Sequence, residues 1–88
     1  MVIKTHPKFD KNYEKRIRFN PKLDKRFSER ISLFSQNPSH PTLDDHPLKG
    51  SKRFYRSFSI TGDIRVVYYP ISDKEAFFVD IGSHNQVY

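Results

Sequence analysis

The apolar positions change rhythm twice along the chain. Val2 to Thr5 reads as one short strand. From Pro7 onward, Phe9, Tyr13 and Ile17 recur at every fourth residue, the spacing of one helical face, while Lys8, Lys11, Lys15 and Arg18 take the other sides. Asn20-Pro21 breaks that pattern and opens a second helix, with asparagine as N-cap and proline at the first helical position. Leu23, Phe27, Ile31 and Phe34 follow at spacings of four, four and three. This helix should end near Asn37-Pro38, because proline disfavours helical backbone in the residue before it. Two antiparallel helices joined by a tight turn are the expected outcome.

Pro38 to Gly50 holds three of the six prolines and no sustained period, so it reads as a crossing loop. Beyond it the rhythm becomes that of strands. Arg53 to Ile60 reads as a strand, Thr61-Gly62 as a tight hairpin turn and Ile64 to Tyr69 as the returning strand. Pro70 to Lys74 makes a second turn, and Ala76 to Ile81 a third strand rich in Phe, Val and Ile. The order is β-α-α-β-β-β, an α+β domain with helices packed on an antiparallel meander. No internal repeat appears, and 88 residues suit one domain, 1–88.

Composition narrows this picture. Eight Phe and five Tyr supply core area that a 35% hydrophobic content would otherwise lack. Cysteine is absent, which excludes disulfide staples and thiolate metal sites and fits a reducing compartment. No apolar run nears the ~18 residues that read as a membrane span, and no signal-peptide pattern is present, so a soluble cytoplasmic protein is expected. The net charge is +6, with ten of the sixteen basic residues between Lys4 and Arg30. Such a basic balance points to a polyanion, foremost nucleic acid, against the plainer alternative of a solvated basic surface.

Strand parity sorts the basic side chains further. Arg65, Val67 and Tyr69 share one face of their strand, opposite Ile64, Val66 and Tyr68. A helix pair covers only one face of such a sheet, so the Arg65 face is expected to be open. Whether Arg56 shares it depends on hairpin register. Arginines beside Tyr55 and Tyr69 suit single-stranded RNA, with guanidinium groups on phosphates and rings on bases. The competing structural role for both arginines is pairing with Asp63 or Asp80.

Of the four histidines, His6 and His40 each precede a proline in expected surface loops and read as solvated. His46 lies in Asp44-Asp45-His46-Pro47-Leu48-Lys49-Gly50, and His84 follows the last strand. No i, i+4 histidine pair or cysteine is available, so no metal or other cofactor is expected. RNA cleavage needs none: a ribose 2′-hydroxyl attacks the neighbouring phosphate once a base takes its proton. An acid then protonates the leaving 5′-oxygen, and cations hold the charge on the phosphoryl oxygens. Histidine titrates near neutrality and fits either proton transfer.

The segments His46 to Gly50 (HPLKG), Tyr55 to Tyr68 (YRSFSITGDIRVVY) and Asp80 to Tyr88 (DIGSHNQVY) resemble the RelE/ParE toxin superfamily, most closely its RelE/StbE and YafQ-like messenger-RNA interferases. The resemblance covers nearly the whole chain. It implies a type II toxin with a RelE-like fold, an N-terminal strand and helical hairpin on a twisted antiparallel sheet. It also implies an endoribonuclease that cuts mRNA, typically in the A site of the small ribosomal subunit, and a cognate antitoxin that silences the toxin in a hetero-oligomer. Residue by residue, His46 and His84 match the histidines of the YafQ-type pattern, and Asp63 the acidic residue of its strand turn. Arg65 matches the arginine that RelE-type toxins use on the scissile phosphate. Arg56 aligns with a basic residue assisting the same transition state, and Tyr88 with a terminal aromatic near the substrate base. Lys49, Lys52 and Tyr55 are expected to hold substrate with Tyr88.

One position departs from the pattern. YafQ-type toxins carry a further histidine four residues before the acidic one, where this chain has Ser59. Proton transfer is therefore expected to fall on His84, with His46 second; a purely local bond to Asp44 or Asp45 is the competing role for His46. Two other functions fit the same fold. One is a ParE-like inhibitor of DNA gyrase, against which His84 and Asp63 argue, since a gyrase binder needs no proton-transfer groups. The other is a non-catalytic RNA- or ribosome-binding protein. Lys11, Lys15, Arg18, Lys22, Lys25 and Arg26 would face ribosomal RNA, an antitoxin, or solvent alone.

Overall fold

A computed structural model describes all residues from Met1 to Tyr88. Strand β1 (Val2–Thr5) leads into helix α1 (Pro7–Tyr13), which widens into a π-helical turn at Glu14–Arg18, and then into α2 (Pro21–Gln36). A 3₁₀ turn (Pro41–Leu43), the two-residue strand β2 (His46–Pro47) and a second 3₁₀ turn (Gly50–Lys52) cross to the sheet. Strands β3 (Arg56–Ser59), β4 (Ile64–Ser72) and β5 (Glu75–Ser83) follow, and a one-turn helix α3 (His84–Val87) closes the chain.

The helix boundaries are set by local chemistry. Asn20 caps α2 by accepting from the Leu23 amide at 3.2 Å, with Pro21 at the first helical position. His6 caps α1 in the same way, its Nδ1 accepting from the Lys8 amide at 3.0 Å. His40 Nδ1 accepts from the Thr42 amide at 3.1 Å at the start of the first 3₁₀ turn. Both histidines expected to be merely solvated are thus helix caps, each followed by the proline that begins its helix.

The five strands form one sheet in the order β1-β5-β4-β3-β2. The meander β3-β4-β5 is antiparallel as expected, but β1 runs parallel to β5, pairing Val2 with Glu75 through Thr5 with Phe78. The sheet is therefore mixed, and β2 adds a strand within the segment read as loop. Three boundaries also differ. The connection after β3 is the four-residue stretch from Ile60 to Asp63, where Thr61 Oγ1 accepts from the Asp63 and Ile64 amides, rather than a two-residue turn. β4 continues through Pro70 to Ser72; β3 reaches only Tyr68, so no neighbour on that side needs the missing proline N–H. The first meander strand begins at Arg56, not Arg53, because the 3₁₀ turn runs to Lys52 and Arg53 caps it in helical backbone.

One sheet face packs on the helices. Phe9 and Ile17 from the first helical segment and Phe34 from α2 meet Phe58, Val66, Tyr68, Phe78 and Ile81. Phe34 stacks on Phe58 with ring centroids 4.4 Å apart. The π turn directs Arg16 to the sheet, where its guanidinium donates to the Ile81 carbonyl at 2.9 Å and lies 3.6 Å from Asp80. Asp80 is buried and fully engaged, accepting from Asn12 at 2.7 Å and from the Ile81 amide at 2.8 Å. The opposite sheet face carries only the β2 loop and the one-turn helix α3, which bury Ser57, Arg65 and Val67 beneath them.

Candidate active site

On that second face, β3 and β4 set Ser57 opposite Val67 and Ser59 opposite Arg65. Successive strand residues alternate sides, so Ser57, Ser59, Arg65 and Val67 point away from the helices. The same register puts Arg56 opposite Tyr68, on the helical side. The two arginines expected to act together are on opposite faces of the sheet.

Consecutive aspartates deal with them separately. Asp45 holds Arg56 on the helical side, its carboxylate 2.6 Å from Nε and also bonded to the Tyr68 hydroxyl. Burial, and then the Asp45 bond, push the Tyr68 phenol well above its usual range, so it serves as a donor at any ordinary pH. The Arg56 pKa is raised: desolvation acts against it but is outweighed by Asp45 and Tyr68 together. Asp44 turns the other way. Its backbone is left-handed (φ 47°), a conformation that Asp tolerates better than most residues, and it meets Arg65. Arg65 NH2 donates to the Asp44 carbonyl at 2.8 Å and NH1 reaches the carboxylate at 3.4 Å. Neither arginine pairs with Asp63 or Asp80.

Arg65 is only 9% exposed, contrary to the expectation of an open guanidinium. Its Nε donates to Ser57 Oγ at 3.0 Å and NH2 to the Ser57 carbonyl at 3.1 Å. Ser57 Oγ bonds in turn to the hydroxyl of Tyr88, whose ring meets that of His84 edge-on at 4.4 Å between centroids. On the other side of Arg65, His46 Nδ1 lies 3.3 Å from NH2 and 2.9 Å from the Asp44 carbonyl. A carbonyl only accepts and a guanidinium only donates, so Nδ1 serves one of these two neighbours at a time; in the tautomer that donates to Asp44, Nε2 is the acceptor. An unbroken line of contact thus runs His84–Tyr88–Ser57–Arg65–His46.

The tail reaches this line because of Gly82 and Ser83. Gly82 lies inside β5 and does not itself make the turn. A Cβ there would fall 2.6 Å from Gln86 Oε1 and 2.7 Å from Arg16 NH1, so the glycine permits close approach. The turn is made one residue later by a capping box, in which the Ser83 amide donates to Gln86 Oε1 at 2.7 Å. His84 and Tyr88 thereby fall on one side of a single helical turn.

The remaining expected residues are less engaged. Asp63 is exposed just beyond the end of the β4–β5 ladder, where Ile64 faces Ser83, and no side-chain bond joins it to His84. Ser59 faces the site but donates its hydroxyl to the Thr61 carbonyl. Lys49 is exposed at the start of the second 3₁₀ turn. Lys52 and Tyr55 line a cleft of about 170 Å³ with Val67, Val79, Asp80 and Val87. A larger concavity of about 580 Å³ lies on the helical side, where Asp44, Asp45, Asp73 and Glu75 line it with Arg56, a poor environment for RNA phosphates. Ser57, central to the site, was missed; its signal was a small polar residue two positions before Ser59, which parity places on the Arg65 face.

The full chain, residues 1–88, matches the family model described as the bacterial toxin of type II toxin–antitoxin systems, YafQ. The chain belongs to that family. It is a type II toxin, in a family of mRNA interferases, with a cognate antitoxin as partner. Among solved structures, the toxin is 29% identical to a metal-bound toxin from Helicobacter pylori, with a TM-score of 0.68 over 100% of this chain and 99% of that one. The Escherichia coli DinJ–YafQ complex is similar at 26% identity and a TM-score of 0.67, covering 98% and 96% of the two chains. The YoeB/ParE toxin of Agrobacterium tumefaciens shares the fold at a TM-score of 0.78 and 22% identity, covering 96% and 99%. Comparison with curated proteins finds no match. In this toxin no three His, Cys, Asp or Glu side chains gather in a way that would hold a metal ion. No helix is long and apolar enough to cross a membrane.

Proposed function

We propose that residues 1–88 act as one domain that cuts mRNA in the ribosomal A site, in the cytoplasm, by attack of a ribose 2′-hydroxyl on the adjacent phosphate. The line of contact from His84 to His46 through Arg65 carries this reading. The 2′-oxygen forms its bond to phosphorus as the bond to the 5′-oxygen breaks, leaving a cyclic phosphate and a free 5′-hydroxyl. His46, in the tautomer with Nε2 as acceptor, fits removal of the 2′-proton, and His84 fits protonation of the leaving oxygen. Arg65 stabilises the phosphoryl oxygens once the phosphate displaces the exposed Asp44 carboxylate from its guanidinium. Tyr88 orients His84 and supplies a ring for a neighbouring base. Arg56 holds the β2 loop through Asp45 and does not touch substrate.

The exposed Lys11, Lys15, Lys22, Lys25 and Arg26 suit ribosomal RNA, a contact that salt should weaken steeply. Phe19, 79% exposed at the helix–helix turn beside the Arg18 guanidinium, extends that surface. Purified toxin mixed with a defined mRNA, with and without ribosomes, tests the proposal. Cuts that appear only with ribosomes support it. Equal cutting of naked RNA removes the ribosome from the account, and intact mRNA in both tubes overturns it.

A further inference from the structure

Lys52, Tyr55, Val67, Val79, Asp80 and Val87 enclose a cleft of about 170 Å³ between the second 3₁₀ turn and α3. That is several times the ~30 Å³ occupied by a water molecule. Its position is set by the sheet. Val67 lies two residues along β4 from Arg65 on the same face, so the two are separated by about 6–7 Å at the usual rise per strand residue. Val67 also pairs across the ladder with Ser57, which holds Tyr88, and Val87 immediately precedes Tyr88. The cleft therefore adjoins the guanidinium and the terminal ring at once.

Its walls have the chemistry of a stacking site. Val67 and Val87 are buried at 5% and 6% exposure, yet neither belongs to the helix-packed core, so they form an apolar floor on the face that the helices leave uncovered. The Tyr55 ring forms a wall and is braced edge-on by Tyr69, with centroids 5.8 Å apart. Lys52 is exposed at the rim, where a phosphate attached to a bound base would lie. Asp80 contributes no free negative charge, because Lys8 at 3.5 Å, Arg16 at 3.6 Å and the Asn12 amide already engage it. The plainer role is a small satellite core beneath α3. Against it stand the cationic rim and the direct continuity with Arg65.

We propose that this cleft is a nucleobase subsite, which receives the unpaired base next to the phosphate held by Arg65 and selects it by size rather than by hydrogen bonds. The proposal rests on the RNA-cleaving reading above and deepens it. An apolar floor with one aromatic wall has few polar groups with which to read base edges, so stacking and fit decide.

Val79 is half-buried in the floor, which allows two opposite perturbations. Val79→Phe fills the cleft with a residue that strands accommodate, and Val79→Ala enlarges it. The readouts are 5′-end mapping of cut mRNA, antitoxin neutralisation, and quenching of a short single-stranded oligoribonucleotide carrying 2-aminopurine, with circular dichroism as fold control. Val79→Phe should lower cutting and oligonucleotide affinity by about tenfold or more, the scale of one lost base stack. Val79→Ala should keep cutting but shift the distribution of bases beside the cut towards larger ones. Unchanged rates and cut sites in both variants overturn the subsite while leaving the site itself intact. Normal cutting by Val79→Phe together with escape from the antitoxin also overturns it, by assigning the cleft to a protein side chain. If Val79→Phe fails to fold, Val79→Ala decides alone. Absence of cuts by the parent protein overturns both this subsite and the reading on which it rests.

Discussion

Ser57→Ala removes one atom from the centre of the site and leaves the surrounding backbone unchanged. Ser57 is fully buried, and its Oγ accepts from Arg65 Nε while bonding the Tyr88 hydroxyl. Arg65 keeps its backbone acceptors, the carbonyls of Ser57 and Asp44, which alanine does not disturb. The loss is therefore one bond from a buried charged donor, worth about 1.5–3 kcal/mol, together with the weaker neutral bond to the Tyr88 hydroxyl. In a domain of this size each kcal/mol moves the melting temperature by about 4–8 °C, so Tm should fall by about 6–24 °C. Tyr88→Phe breaks the same line at a residue that is 40% exposed, and Ser57 Oγ keeps its bond to Arg65 Nε, so it should cost less than about 1 kcal/mol. Urea titration and thermal melts give the stability order parent, Tyr88→Phe, Ser57→Ala, while mRNA cleavage should fall in both variants. A Ser57→Ala protein that melts within about 2 °C of the parent and cuts at its rate would refute the reasoning, since Arg65 would then not depend on the serine.

Asp44→Asn removes the carboxylate that competes with phosphate for Arg65 yet tolerates the left-handed backbone; affinity for a short RNA should rise by a few-fold, the scale of an exposed ion pair, in a fluorescence titration. Arg56→Gln should lower stability by about 1–3 kcal/mol in urea titrations, by leaving the buried Asp45 carboxylate short of a partner, with the cleavage rate of the folded protein unchanged. Tyr68 carries a pH signature. Its phenol is raised above the ordinary tyrosine value of about 10, so the stability this confers is complete below pH 10 and is lost as pH rises beyond it, when unfolded tyrosine ionises and Tyr68 must stay neutral. Stability measured from pH 8 to 11.5 should therefore fall above pH 10, and less steeply in Tyr68→Phe.

The parts legible in the sequence are those decided within a few residues. Asn20-Pro21 starts α2 and Asn37-Pro38 ends it, because capping and the steric demand of proline act locally. The alternation through Ile64 to Tyr68 separates the core face from the Arg65 face for the same reason. What stayed hidden depends on partners distant in sequence. The side taken by Arg56 required the β3–β4 register, and the burial of Arg65 required Asp44 to arrive from the other side of β2. The direction of β1 follows from its pairing with β5, more than seventy residues away, on which a four-residue apolar stretch is silent. Gly82 illustrates the limit. A glycine near a strand end suggests a turn, yet its place is explained by Arg16 and Gln86, one of them distant in sequence and brought in by the π turn.

His84 is exposed, touches Tyr88 and supports no part of the core, so its replacement should leave the fold intact. Mapping mRNA 5′ ends by primer extension, after brief induction of the parent and of His84→Ala, tests the central claim most directly. The account predicts discrete new ends within coding sequence for the parent and their loss, with growth restored, for a His84→Ala protein that melts like the parent. Undiminished cutting by folded His84→Ala would contradict it.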